Sequence, residues 1–257
     1  MPSILLHRDG PIARVRLNRP EVRNAINDEL IIDFEKTLKE IEKEKAIRVV
    51  VLSGEGDFFC AGGDLNWMKS IGKGARLFSR LLTTLDQFPK PTIAQVHGAA
   101  IGGGVGLLAA CDIAVAFENT VFALAEVKLG LIPAVISPFV ISRIGIAAAR
   151  RYFLTGERFT TDVALRWGLI HEAVPMERLA TTVDEIAKQL LSSGPEAVKA
   201  CKELIGIVGA GFSRPTNRTI QEYTVKKIAA LGKSTEAQEG IKAFLEKRKP
   251  SWNLKHD

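Results

Sequence analysis

The chain has little cysteine, three residues in 257: Cys60, Cys111 and Cys201. An odd number without ligand-like spacing argues against a disulfide framework or a cysteine-based metal site, and implies free thiols in a reducing compartment. No apolar run reaches membrane-spanning length. The opening "MPSILLHRDGPIARV" has only a short apolar run, interrupted at His7 and Arg8, so no secretory leader and a cytoplasmic location are expected. No Pro/Gly/Ser-rich linker divides the chain, which reads as one domain: a core over residues 1–195 and a helical C-terminal region over 196–257. An uninterrupted basic stripe is also missing. The net charge is +6, but Lys and Arg interleave with Glu in "EKTLKEIEKEKAIR", the pattern of a solvated helix face. RNA binding is the reading from another functional class, and no recognised module supports it.

What is present is an ordinary globular composition, 46% hydrophobic and 25% charged, enough for a sizeable core. "SILLHR" and "IARVRLNRP" flank the turn "DGP" and predict a β-hairpin ended by Pro20. Asn27 or Asp28 can cap a helix in which Leu30, Ile31, Phe34, Leu38 and Ile41 recur at helical spacing up to about Ala46. "RVVVLSG" predicts a buried strand, "DFFCAGGDL" a glycine loop entering a helix near Asn66, and residues 75–88 a further helix. "KPTIAQVHG" repeats the scheme, with a helix from about Gly103 to Ala110. "DIAVAFEN" and "TVFALAEV" predict short strands, and the remainder reads as successive helices. Strands joined through helices imply a largely parallel sheet.

The segment Val96–Gly106, "VHGAAIGGGVG", holds five glycines in eleven positions. It is no Walker loop, because no Lys-Ser/Thr follows Gly106, and it lacks dinucleotide-binding spacing. Two readings remain. The glycines permit close helix–strand packing, or two backbone N–H groups, one from each glycine loop, meet at a carbonyl oxygen that becomes negative during reaction.

"FCAGGDL" (Phe59–Leu65), "HGAAIGGGVGL" (His97–Leu107), "AEVKLGLIP" (Ala125–Pro133) and "AFLEKRKPSW" (Ala243–Trp252) follow one another in this order. Together they resemble the enoyl-CoA hydratase/isomerase (crotonase) superfamily, over essentially the whole chain from "RLNRPEVRNAI" onward. "GLLAACDIAVA" with "LGLIPAVISPFV" is most similar to its methylglutaconyl-CoA hydratase branch. The resemblance implies an α/β fold, a spiral of ββα units whose C-terminal helices form a trimerisation region, in trimers or pairs of trimers. It implies an acyl-CoA thioester substrate, with coenzyme A as part of that substrate, no separate cofactor and no metal. The oxyanion donors it implies are the N–H groups of Gly63 and Gly103. Along the coenzyme A it places Arg23, Asn24, Ala25, Ile26, Ala61, Asp64 and Leu65, with Phe244 and Lys247 of the tail reaching a neighbour's coenzyme A.

Many hydratases of the family carry two glutamates, one three residues after the oxyanion glycine and one in the segment that follows. Those positions are here Gly106 and Glu126. Residues three apart on a helix share a face, so position 106 offers no carboxylate beside Gly103. Glu126 is then expected to act as the only acid/base, with the space at Gly106 taking a branched acyl group or an ordered water. Local sequence alone also allows a surface Glu126 paired with Lys128. The implied reaction adds or removes water across the 2,3 double bond of a short or branched enoyl-CoA, of the 3-methylglutaconyl type. A single carboxylate equally suits an enoyl-CoA isomerase, and the lost glutamate a non-catalytic member. A substrate with a second carboxylate needs a cation, for which Lys69, Lys73, Arg76, Arg80 and Arg143 are candidates. His97 and Asp112 read as structural, Ser137 as a helix cap, and Trp67 and Met68 as core or pocket wall. Cys60 and Cys111 lack an adjacent base.

Overall fold

A computed structural model describes residues 2–68, 71–210 and 218–253 of the chain. Strands β1 (Ile4–Asp9) and β2 (Ile12–Leu17) form the expected antiparallel hairpin. Helix α1 (Asp28–Lys43) starts where Asn27 accepts a hydrogen bond from the Leu30 N–H at 2.9 Å, satisfying one of the orphan donors of its first turn. Its stripe of Leu30, Ile31, Phe34, Leu38 and Ile41 is fully buried. Strand β3 (Val49–Gly54) follows, and Val49–Leu52 are all buried, as a parallel strand covered on both faces requires. Helices α2 (Leu65–Met68) and α3 (Ile71–Asp86) come next. Phe78, Leu81, Leu82 and Leu85 turn the inner face of α3 into the core, and its Arg80 holds Glu35 of α1 through two hydrogen bonds of 2.7 and 2.6 Å.

Strands β4 (Thr92–Val96) and β5 (Ala99–Ile101) precede α4 (Gly103–Ala110), and β6 (Ile113–Phe117) and β7 (Val121–Ala123) follow it. The remaining elements are α5 (Ser137–Thr155), kinked at Gly145, β8 (Arg158–Phe159), α6 (Thr161–Arg166), β9 (Glu172–Val174), α7 (Met176–Ser192), α8 (Pro195–Ala210), α9 (Arg218–Leu231) and α10 (Thr235–Leu245). One sheet runs β1-β2-β3-β4-β6-β9 and is parallel from β2 onward; a smaller one runs β5-β7-β8. Parallel bridges Ile26↔Gly63 and Cys60↔Ala100 continue the β5–β7 pairing direction. Each pass of the chain thus lays one strand in the large sheet and then a short extended piece beside the small one. That alternation is the spiral of ββα units that the sequence resemblance implies.

The sequence reading missed β5, β8 and β9, since segments of two or three residues carry no periodicity to detect. It also ran the strand "TVFALAEV" too far. The strand ends at Ala123, and Ala125–Leu129 form a short 3₁₀ turn closed by left-handed Gly130.

The chain packs as two compact units, one running to Phe88 together with Thr92–Ala187, the other Pro89–Pro91 with the residues from Lys188 onward. The boundary expected at 195/196 lies inside the second unit. There, Glu236 of α10 caps α8, its carboxylate accepting from the N–H groups of Glu196 and Ala197 at 3.0 and 2.9 Å, where a negative charge suits the helix dipole. No described helix is long and apolar enough to cross a membrane.

Candidate active site

Two glycine loops and one 3₁₀ turn meet at a cavity of about 270 Å³ in the first unit. The first loop is built on Asn24. This residue is fully buried, with left-handed backbone at φ 58°, a conformation Asn tolerates better than most residues. Its amide donates to the carbonyls of Glu55 and Phe58 at 2.8 and 2.7 Å, and its Oδ1 accepts from the Arg19 N–H at 2.9 Å. Its own carbonyl accepts from the Cys60 thiol. Asn24 therefore braces the loop through its side chain. Asn24→Ala leaves two part-buried carbonyls without their donor and is expected to cost about 3 kcal/mol of stability, read as a lowered urea midpoint; an unchanged midpoint contradicts the brace.

Next to it, the Ile26 N–H donates to the Gly62 carbonyl at 2.7 Å and the Asp64 N–H to the Ile26 carbonyl at 2.9 Å. A parallel bridge of this kind uses the groups on either side of Gly63, so the Gly63 N–H points the other way. In the second loop, Gly103 opens α4 as its first helical residue, where an N–H has no acceptor within the helix. The loops approach so closely that a Cβ at Gly62, whose φ is +94°, would lie 2.8 Å from the Ile101 carbonyl oxygen. Gly63 and Gly103 both line the cavity.

Glu126 lines the same cavity from the 3₁₀ turn. Its Oε1 would sit 2.8 Å from a Cβ at Gly102, so this glycine makes room for the carboxylate. Its Oε2 is buried with no hydrogen-bond partner among the described residues. Burial pushes the carboxyl above its ordinary value, against a smaller lowering by its own backbone N–H. Lys128 is exposed and forms no ion pair with Glu126 among the described residues.

The rest of the lining is Ile26, Trp67, Ala75, Phe78 and Leu131–Ile136. The space expected at Gly106 is absent. A Cβ there would lie 2.3 Å from Ile136 Cγ2 and 2.9 Å from Ile136 Cβ, so Ile136 occupies the place where many family members have a glutamate. Nothing in the local sequence around Gly106 marks this, because Ile136 is thirty residues further along the chain.

Of the expected coenzyme A contacts, Arg23 is exposed with its guanidinium 5.0 Å above the Phe58 ring. The Ala25 carbonyl accepts from the Arg19 guanidinium. Asp64 is held by Arg19 at 3.4 Å and by the Asn66 N–H at 3.0 Å. The Ala61 N–H donates to the Arg23 carbonyl at 2.9 Å. Phe244 and Lys247 are exposed in the second unit. The side chains of Leu65, Met68 and Lys73 lie outside the described residues, as does Lys69.

Trp67 joins the cavity wall while its indole N–H donates to Asp28 at 2.7 Å. His97 donates to the Gly56 carbonyl at 2.8 Å, and Asp112 accepts from the N–H and hydroxyl of Thr92 at 2.8 and 2.9 Å; both serve the fold. The cap expected at Ser137 is not formed: Ile136 occupies the capping position and the Ser137 hydroxyl donates back to the Ala134 carbonyl at 2.8 Å. Burial pushes the Cys60 thiol up to about 12, which leaves it inert.

The enoyl-CoA hydratase/isomerase family profile matches residues 7–255. The chain belongs to this family. Its relatives include the short-chain-enoyl-CoA hydratase of Clostridium acetobutylicum, 33% identical with 96% of each chain covered. The 1,2-epoxyphenylacetyl-CoA isomerase of Escherichia coli is 32% identical, covering 99% of this chain and 100% of the relative. Among solved structures, an enoyl-CoA hydratase from Shewanella pealeana superposes with a TM-score of 0.92 at 38% identity, over 97% of this chain and 96% of that one. The protein is thus an enzyme of a family whose members include both hydratases and isomerases.

Proposed function

We propose that the enzyme adds or removes water across the 2,3 double bond of a short or branched enoyl-CoA, with Glu126 as its one acid/base. The observation that carries this reading is a carboxylate, single and unpaired among the described residues, in an apolar cavity that Gly63 and Gly103 also line. In the hydration direction, the Glu126 carboxylate takes a proton from water as the water oxygen bonds to carbon three. The double-bond electrons move onto the thioester oxygen, where the two N–H groups stabilise the developing charge. Glu126 then returns the proton to carbon two, and the enolate electrons close the new C–H bond. The reaction consumes only water, and coenzyme A enters as the substrate's handle. Arg23, Asn24, Ala25, Ile26, Ala61, Asp64 and Leu65 would border that handle, with the exposed Arg23 suited to phosphate.

A 3-methylglutaconyl ester also needs a cation at the acyl end. Arg80 is held by Glu35, and Arg143 donates to the carbonyls of Ala109, Cys111 and Asp112. Neither is free for that purpose. Arg76 is exposed and does not line the cavity. The described lining otherwise suits an uncharged acyl group.

Isomerisation is the second reading, favoured by Ile136, which puts a methyl-bearing side chain where a second acid would help hold water. Incubating crotonyl-CoA in oxygen-labelled water separates the two. Hydration places label at carbon three and bleaches the conjugated thioester absorbance; double-bond migration in a 3-enoyl ester without label overturns the hydratase reading.

Exposed apolar residues on the terminal helices, among them Ile205, Val225, Ile228, Ile241 and Phe244, support assembly into a homo-oligomer of the trimer or paired-trimer kind. Phe244 and Lys247 would then be available to a neighbour's coenzyme A.

A further inference from the structure

We propose that Ile136 sets acyl selectivity at the reacting carbons by filling the volume that a side chain at position 106 would take. The inference rests on the reading that the cavity receives the acyl thioester. Gly103 and Gly106 lie one turn apart on the same face of α4, so the niche at 106 adjoins the Gly103 N–H. Gly106 is buried within that helix. The nearest groups to an added Cβ there are Ile136 Cγ2 at 2.3 Å and Ile136 Cβ at 2.9 Å, whereas Leu82 Cδ1 stands at an ordinary 3.6 Å. A rotamer change cannot clear the overlap, because Cβ itself is too close and does not move with χ1. Ile136 is also 3% exposed and a wall of the cavity. One side chain therefore both closes the niche and faces the ligand space. Positions 106 and 136 share a single volume, and here all of it belongs to Ile136.

Truncating Ile136 should open room beside carbons two and three and favour a branch there. The probes are butyryl-CoA and 3-methylbutyryl-CoA, which differ by one methyl group at carbon three and lack the reactive double bond. Calorimetric affinities of wild type and Ile136→Ala are compared as the branched-to-straight ratio. The ratio is expected to shift toward the branched ester by about tenfold, the worth of one methyl in a hydrophobic pocket. An unchanged ratio overturns the proposal.

A melting cycle supplies the second measurement. Gly106→Ala alone is expected to lower the melting temperature, and much of that loss should be recovered when Ile136→Ala is added, since the two sites are in contact. Additive effects overturn the shared volume. If wild-type protein binds neither ester, the functional reading fails and selectivity with it, while the melting cycle still decides whether 106 and 136 share their space.

Discussion

Glu126→Gln lowers turnover by about three orders of magnitude, the middle of the range that a positioned acid/base contributes, and leaves acyl-CoA binding nearly intact. Gln keeps the shape of Glu but cannot exchange the proton, so the loss falls on kcat with little change in KM. Two further measurements follow from the buried carboxyl. Because Glu126 must be ionised to accept a proton from water, and burial raises it above its ordinary value, the acid limb of the kcat/KM profile lies above the usual carboxylate range. The same shift has a sign for stability. The native state holds this proton more tightly than the unfolded chain, so between the unfolded and folded values native stability falls as pH rises. Once ionised, the desolvated carboxylate is a cost to the fold, and Glu126→Gln is expected to melt no lower than wild type. Unchanged turnover, or a variant that loses activity only because it unfolds, removes Glu126 from the chemistry.

Gly98→Ala is expected to lower stability by about 3 kcal/mol or more, roughly 1 for a left-handed residue with a side chain and up to about 3 for forced overpacking. Gly98 has φ +64°, and a Cβ there would lie 1.8 Å from the Asp57 carbonyl oxygen and 3.0 Å from its carbon. Those are backbone atoms, so no side chain can turn aside. The residue stands between β4 of the large sheet and β5 of the small one, where its carbonyl accepts from the Val121 N–H at 2.9 Å and that of His97 from the Phe59 N–H at 3.0 Å. Relief of the clash must separate these passes of the spiral, and Gly103 lies only a few residues further on. Activity should therefore fall even in the fraction that stays folded. A urea midpoint equal to wild type would show that the crossing has slack.

Much of this was legible in the residues. The hairpin, α1 with its Asn27 cap, the apolar strand β3 and the opening of α4 at Gly103 all follow from periodicity, caps and glycine. The pairing of two glycine loops with one glutamate pointed to oxyanion chemistry. Other features were not legible. The strands of two or three residues exist because neighbours pair with them. Glu126 sits on a 3₁₀ turn because β7 stops at Ala123. Ser137 bonds backward because the preceding Ile136 already begins the turn.

By itself the sequence determined the order of the longer elements, the buried faces of the long helices, and the absence of a carboxylate at position 106, since local spacing and side-chain identity settle such matters. Only the tertiary structure decided what stands there instead. Close packing leaves few voids inside a fold, and the side chain that fills this one, Ile136, comes from a segment that chain order does not bring near. The same holds for the Asn24 side chain, whose hydrogen bonds brace the loop. Which carbonyls a polar side chain reaches depends on what the fold brings beside it.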